Sequence, residues 1–212
     1  MAIKNIVRIW EEGKIINDNV KFLKLKTKNV TFPASDFIKN IIQDLIDTYK
    51  TITCAGIAAN QIGYDYQIFI GMKEIEDEIE DEIEKKEAEL SSALGNPYSD
   101  NYEIYINPKI DKIDNKSINL DEEGCLSFPG LMVERERYDK IKVRYYDING
   151  KVNKMTLSGF LSKLFQHELD HLNGKLMVDD IEKIEKLYPL EPSEENRKLY
   201  SNLYSEYNKI KI

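Results

Sequence analysis

The chain has 212 residues, a formal net charge of −8, two cysteines and two histidines. That length suits one large domain with a full core, two cysteines are too few for a disulfide framework, and no apolar segment approaches the length of a membrane span. Met1 to Ile6 lacks the apolar run and cleavage site of a signal peptide, so a reducing, cytoplasmic setting is expected.

Residues 1 to 30 mix apolar and charged positions without a clear period. After Pro33, Ser35 is placed to cap a helix in which Ile38, Ile41, Ile42, Leu45 and Tyr49 recur at helical spacing, with Asp36 in the first turn. Thr53 to Gly63 is a run of small residues, where backbone can come close to a ligand or to another strand. Gln67 to Met72 reads as a strand. Residues 74 to 89 then hold ten acids and two lysines, which is the entire charge excess of the chain. Ile75, Ile79 and Ile83 repeat every fourth position there, which predicts a solvated helical insertion over about 74–94 with a narrow apolar stripe. The balanced remainder offers no surface for nucleic acid.

Glu103 to Asn107 is predicted as a strand ended by Pro108. Asp121 to Gly130 contains Glu123-Gly124-Cys125-Leu126-Ser127, a cysteine on irregular backbone. Ile141, Val143 and Tyr145 alternate with Lys140, Lys142 and Arg144, and Asn149-Gly150 predicts a type I′ turn into a strand over Lys151 to Thr156. A helix from near Ser158 to Gly174 carries Phe160, Leu164, His167 and His171 on one stripe. Pro189 and Pro192 break the chain, and a last helix starts at Ser193. It bears Leu199, Leu203, Tyr204 and Tyr207, with a face for its own domain or for a second subunit. The domain organisation expected is a catalytic unit over 1–188, containing the acidic insertion, and a C-terminal helical extension over 189–212.

Gln166-His167-Glu168-Leu169-Asp170-His171 concentrates the chemistry. H-E-x-x-H on a helix sets two imidazoles one turn apart on the same face with Glu168 beside them, a metal site with a built-in base. Both histidines of the chain are used here, so a third ligand has to be Cys, Asp or Glu. The long H-E-x-x-H-x-x-G-x-x-H pattern is followed through Gly174 but puts Met177 where its last histidine belongs. A downstream carboxylate such as Glu185 is one alternative. Cys125 is the better ligand, because a thiolate and two imidazoles leave one position for water, the composition of an open, catalytic site. Glu168 can then take that water's proton during attack on a carbonyl.

Three stretches, Gly56-Ile57-Ala58-Ala59-Asn60-Gln61, Glu123 to Ser127 and Gln166 to His171, resemble the three motifs of peptide deformylases, in that family's order. The likeness also takes in Ile106-Asn107-Pro108 and the hairpin ending at Gly150, and so spans roughly residues 50 to 180. It implies an α+β fold with antiparallel sheets around a central helix carrying the H-E-x-x-H motif. It also implies removal of the N-formyl group from the N-terminal methionine of nascent polypeptides, releasing formate.

The resemblance further implies Cys125, His167 and His171 as ligands of one divalent metal ion, Fe2+ first, with Zn2+, Ni2+ or Co2+ as substitutes. Glu168 would be the proton shuttle, and the Gln61 amide and Leu126 backbone N–H donors to the developing oxyanion. Gly56, Ile57 and Gly124 would be substrate-binding positions at which a peptide backbone adds alongside a strand. Glu123 and Arg137 are expected to pair in support, with Asp170 behind the ligands. Formyl-methionyl nascent peptides are the expected partner, with no nucleic acid, no membrane, and a homo-oligomer through the C-terminal helix. The chain departs from the family's G-x-G opening, because Cys54 stands where the first glycine belongs. A rival reading uses that thiol as a fourth ligand, closing a non-catalytic Cys₂His₂ site.

Overall fold

In the computed structural model, which describes residues 2–73, 95–179 and 184–210, the chain opens with two short strands, β1 (Trp10–Glu11) and β2 (Lys14–Ile15), and a helix, α1 (Asn17–Leu23). Helix α2 (Asp36–Thr51) follows and is capped by the Ser35 hydroxyl, which accepts from the Ile38 N–H. Strand β3 (Gly56–Ala58), a 3-10 turn (Ala59–Ile62) and β4 (Ile68–Met72) lead to β5 (Tyr102–Ile113), β6 (Ile118–Gly124), β7 (Leu131–Tyr138), β8 (Lys140–Tyr146) and β9 (Val152–Ser158). Helix α3 (Gly159–Leu172) carries both histidines, and β10 (Ile184–Pro189) and helix α4 (Glu194–Tyr207) complete the described elements.

β4 is buried along its whole length, which demands a covering layer on each face of its sheet. That sheet runs β3-β4-β5-β8-β9, antiparallel throughout. On one face Ile57, Ile68, Ile70 and Ile106 meet Ile38, Ile41, Ile42, Leu45 and Tyr49 of α2. On the other, Phe69, Tyr105, Val143 and Tyr145 meet Phe165 and Leu172 of α3, with Phe69 stacked on Tyr105 at 4.4 Å between ring centres. Each fully buried side chain of this size contributes roughly 1.5–3 kcal/mol, so both helices are held to the sheet by apolar burial.

A second antiparallel sheet, β10-β7-β6, covers a separate core. There Ile9, Trp10, Val20 and Leu23 from the N-terminal segment pack with Phe128, Leu131 and Val133 and with Leu203 and Tyr207 of α4. The apolar face of the last helix is thus buried within its own chain, and the unpatterned first thirty residues find their order in contacts far along the sequence. The fold is α+β, with antiparallel sheets around the helix that bears the two histidines. Among the described residues no helix is long and apolar enough to cross a membrane. The acidic insertion expected over 74–94 lies outside the described residues.

Two expectations fail locally. β5 does not end at Pro108 but runs through it, because the register shifts between Ile106 and Lys109 and no ladder hydrogen bond is asked of the proline. Asn107 holds the irregularity: its φ is +49°, its N–H donates to Gln67 O at 2.8 Å, and its side-chain amide accepts from Val30 N and donates to Val30 O. The hairpin turn is not type I′ either, since φ is positive at Gly150 and not at Asn149. Asp147 organises a longer loop, its carboxylate accepting from the N–H groups of Asn149 and Lys151 at 2.9 Å.

Candidate metal centre

Helical spacing sets the His167 and His171 rings 5.0 Å apart, near perpendicular. Cys125 comes from the turn after β6 and brings its Sγ to 3.1 Å from His171 Nε2. The ligand atoms of Cys125, His167 and His171 all lie within 4.8 Å of one another, and a sulfur with two imidazoles is a donor set for a divalent metal of the zinc or iron class. Cys54 is not in this group. It sits by Asn96, whose Nδ2 lies 3.9 Å from its Sγ, and burial together with the nearby Glu168 charge pushes its thiol pKa far above the ordinary value. Among the described residues the group that could hold a metal ion is Cys125, His167 and His171, and neither Cys54 nor Glu185 is part of it.

The surroundings orient His167. Glu123 Oε2 lies 3.0 Å from His167 Nδ1, which turns the other ring nitrogen toward Cys125. Glu123 itself pairs in bidentate fashion with Arg137, at 2.6 and 3.0 Å, and Arg137 also donates to Asp170 at 2.6 Å. The expected Glu123–Arg137 pair is thus present, and Asp170 meets the arginine and not a histidine. Burial alone would raise the Glu123 pKa, but His167 and Arg137 overcome it and hold the carboxyl well below the usual range. Burial likewise opposes charge on His167, yet Cys125 and Glu123 raise its pKa well above the ordinary value. His171, buried and facing the cations His167 and Arg137, is driven the other way. Asn60 donates to the His171 carbonyl at 2.7 Å, tying the 3-10 turn to α3.

Glu168, like His171 Nδ1, stands outside this network. It is 2% exposed, and its Oε2 has no hydrogen-bond partner among the described residues. Burial pushes its pKa up to about 7. A buried carboxyl without a partner is costly, and one poised near neutrality suits proton transfer. Gly56 makes room for it: a Cβ there would fall 2.9 Å from Glu168 Oε1 and 2.8 Å from Leu164 Cδ1.

The cluster opens into a cleft of about 450 Å³, lined by Gly56, Gln61, Gly124, Leu126, Leu164 and Glu168 among others. The two walls are sheet edges unpaired among the described residues, since β3 ends the five-stranded sheet and β6 ends the three-stranded one. Gly56 and Gly124 both line the cleft, but the Ile57 side chain is fully buried against α2 and leaves only backbone for that role. The Gln61 Oε1 accepts from Ala58 N–H at 2.9 Å, which fixes the amide so that Nε2 faces Ser127 Oγ at 3.3 Å and Cys125 Sγ at 3.5 Å. The Leu126 N–H donates to no acceptor among the described residues.

Sequence reasoning did not foresee the link from Glu123 to His167. No local pattern signals it, because the two residues are 44 positions apart. It also missed Lys163, Asp121 and Arg8. Lys163 and Arg8 line the cleft, and Asp121 pairs with Lys163 at its wall.

Comparison with known proteins converges on one description. A polypeptide deformylase family model matches residues 13–187. The chain is 35% identical over 202 residues to the peptide deformylase of Elusimicrobium minutum, covering 95% of this chain and 99% of that one. It is 36% identical over 159 residues to that of Aquifex aeolicus, covering 75% and 81%. The crystal structure of peptide deformylase from Thermotoga maritima superposes with a TM-score of 0.64 at 30% identity, covering 88% of this chain and all of that one.

Proposed function

The chain belongs to the polypeptide deformylase family, and from that premise we propose how its residues divide the work of removing the formyl group from the N-terminal methionine of nascent polypeptides. Cys125, His167 and His171 would hold one divalent ion; their sulfur and imidazole donors suit the divalent transition metals as a class, and ferrous iron, with zinc, nickel or cobalt as substitutes, is what the family resemblance implies. Bound there, such an ion would supply Lewis acidity. Glu123 keeps His167 oriented and basic through Nδ1, and Arg137 with Asp170 fixes Glu123 in turn.

The peptide backbone lies in the cleft between the edges of β3 and β6, where Gly56 and Gly124 allow close approach, a β-addition mode of binding. Glu168 accepts the proton of the attacking water as the oxygen adds to the formyl carbon. Gln61 Nε2 and the Leu126 N–H then donate to the oxygen that gains charge. Glu168 returns the proton to the departing nitrogen, the C–N bond breaks, and formate and a free amine leave. The carrying observation is the buried, unpartnered Glu168 carboxyl beside the three ligands, raised to about 7.

The test is formate release from a formyl-methionyl peptide by wild type and Glu168→Gln at matched metal occupancy, with circular dichroism to verify folding. General acid–base catalysis is worth about 10²- to 10⁴-fold, and Glu168 serves twice, so the loss is expected at the upper end. A variant keeping more than about a tenth of wild-type turnover would show that Glu168 does not carry the proton.

A further inference from the structure

The wall of the cleft contributed by α3 carries Phe160, Lys163, Leu164 and His167. Lys163 precedes His167 by about one turn, roughly 6 Å along the axis, and Phe160 by two. A lysine on the inner wall of a largely apolar cleft is unusual, because its charge prefers water. Here the Lys163 side chain is the more sheltered of its pair, 14% exposed against 52% for Asp121. It donates to the Asp121 carboxylate and to Glu122 O, the latter at 3.2 Å, and lies 5.0 Å over the Phe160 ring. Asp121 and Glu122 belong to β6, so Lys163 ties α3 to that wall of the cleft. Ion pairs with an exposed partner contribute about 0–1 kcal/mol, too little for stability to explain a cation held in this place.

We propose that Lys163 determines specificity: its ammonium, held by Asp121 and the Glu122 carbonyl, is a hydrogen-bond donor at the end of the channel that receives the first substrate side chain. It thereby extends the accepted substrates from methionine to unbranched side chains ending in a strong acceptor, methionine sulfoxide first. The inference rests on the deformylase reading above and deepens it. With the formyl carbon beside Glu168 and the backbone between Gly56 and Gly124, the first side chain runs along α3, past Leu164 toward Lys163 and Phe160. An ammonium has three protons and no acceptor. Asp121 and Glu122 take two, and among the described residues no acceptor meets the third. A thioether is a weak acceptor, whereas a sulfoxide oxygen is polar and accepts strongly.

The metal-loaded enzyme is assayed for formate release on three peptides that differ only in the first residue: formyl-methionine, formyl-norleucine and formyl-methionine sulfoxide. Wild type, Lys163→Met and Asp121→Asn are compared by the ratio of kcat/KM for sulfoxide to that for methionine. Loss of a charged donor to a buried oxygen is expected to lower this ratio about tenfold or more in Lys163→Met. Asp121→Asn, at an exposed position, unties the ammonium and is expected to lower the ratio several-fold without endangering the fold. Norleucine, which has no acceptor, is expected to keep its ratio to methionine. An unchanged sulfoxide ratio in either variant overturns the proposal while leaving the deformylase activity standing. Failure of wild type to release formate from formyl-methionine strikes instead at the activity.

Discussion

Helices α2 and α3 lie on opposite faces of one sheet and turn opposite chemistry toward it. The inward face of α2 is Ile38, Ile41, Ile42, Leu45 and Tyr49. The buried positions of α3 include Gln166, Glu168 and His171 beside its Phe165 and Leu172. Even within α3 the polar groups divide. Gln166 is satisfied on both sides of its amide, by Tyr138 and Ser162, whereas Glu168 Oε2 and His171 Nδ1 have no partner among the described residues. Unsatisfied burial is not confined to α3, since the Tyr49 hydroxyl of α2 has no partner among the described residues either; what sets α3 apart is that its unsatisfied groups are a carboxyl and an imidazole at the Cys125–His167–His171 cluster.

The contrast is testable first where it is greatest. Cys125→Ala is expected to abolish nearly all metal binding by elemental analysis, while Cys54→Ala, outside the ligand group, keeps it; the reverse pattern would relocate the site. Leu45→Ala, on the apolar helix, is expected to cost about 2–5 kcal/mol in denaturant unfolding and to leave kcat of the folded, metal-loaded fraction as it was. A drop in that kcat would mean that α2 shapes the site as well as the core.

Acidity sharpens the comparison next. Glu168 is raised from 4.5 to about 7 in the folded state, so the fold favours its neutral form. That contribution is complete below about pH 4.5 and is lost as pH rises through 7. In metal-free protein, taking pH from 5 to 8 is therefore expected to cost wild type up to about 3 kcal/mol more than Glu168→Gln. Equal pH dependence in the two proteins would contradict the desolvation account. The smallest effect is expected from Glu123→Gln, which leaves the ligands in place but weakens the hold on His167. Metal affinity should fall about 10- to 100-fold by competition with a chelator, and an unchanged affinity would reduce the Glu123–Arg137–Asp170 chain to scaffolding.

What the sequence disclosed followed from locality. The α2 stripe, the Ser35 cap, the alternation in β8 and the two-histidine helix all follow from period or short spacing. Cys125 was legible because its neighbours are irregular and the histidines needed a third ligand. The Glu123–His167 contact, the Lys163 tie to β6 and the order of the first thirty residues were not legible, since each depends on segments brought together only by the finished sheet order. The Pro108 misreading had another cause: proline forbids one ladder bond, and a strand can shift register to avoid needing it.

The core beneath Cys125 joins Trp10 to Tyr207, with Phe128 making ring contacts to both. Synthesis proceeds from the N-terminus at about 5–20 residues per second, so Trp10 waits for nearly the whole chain before its partners on α4 leave the ribosome. The core behind Cys125 is therefore closed last, by the final helix to emerge.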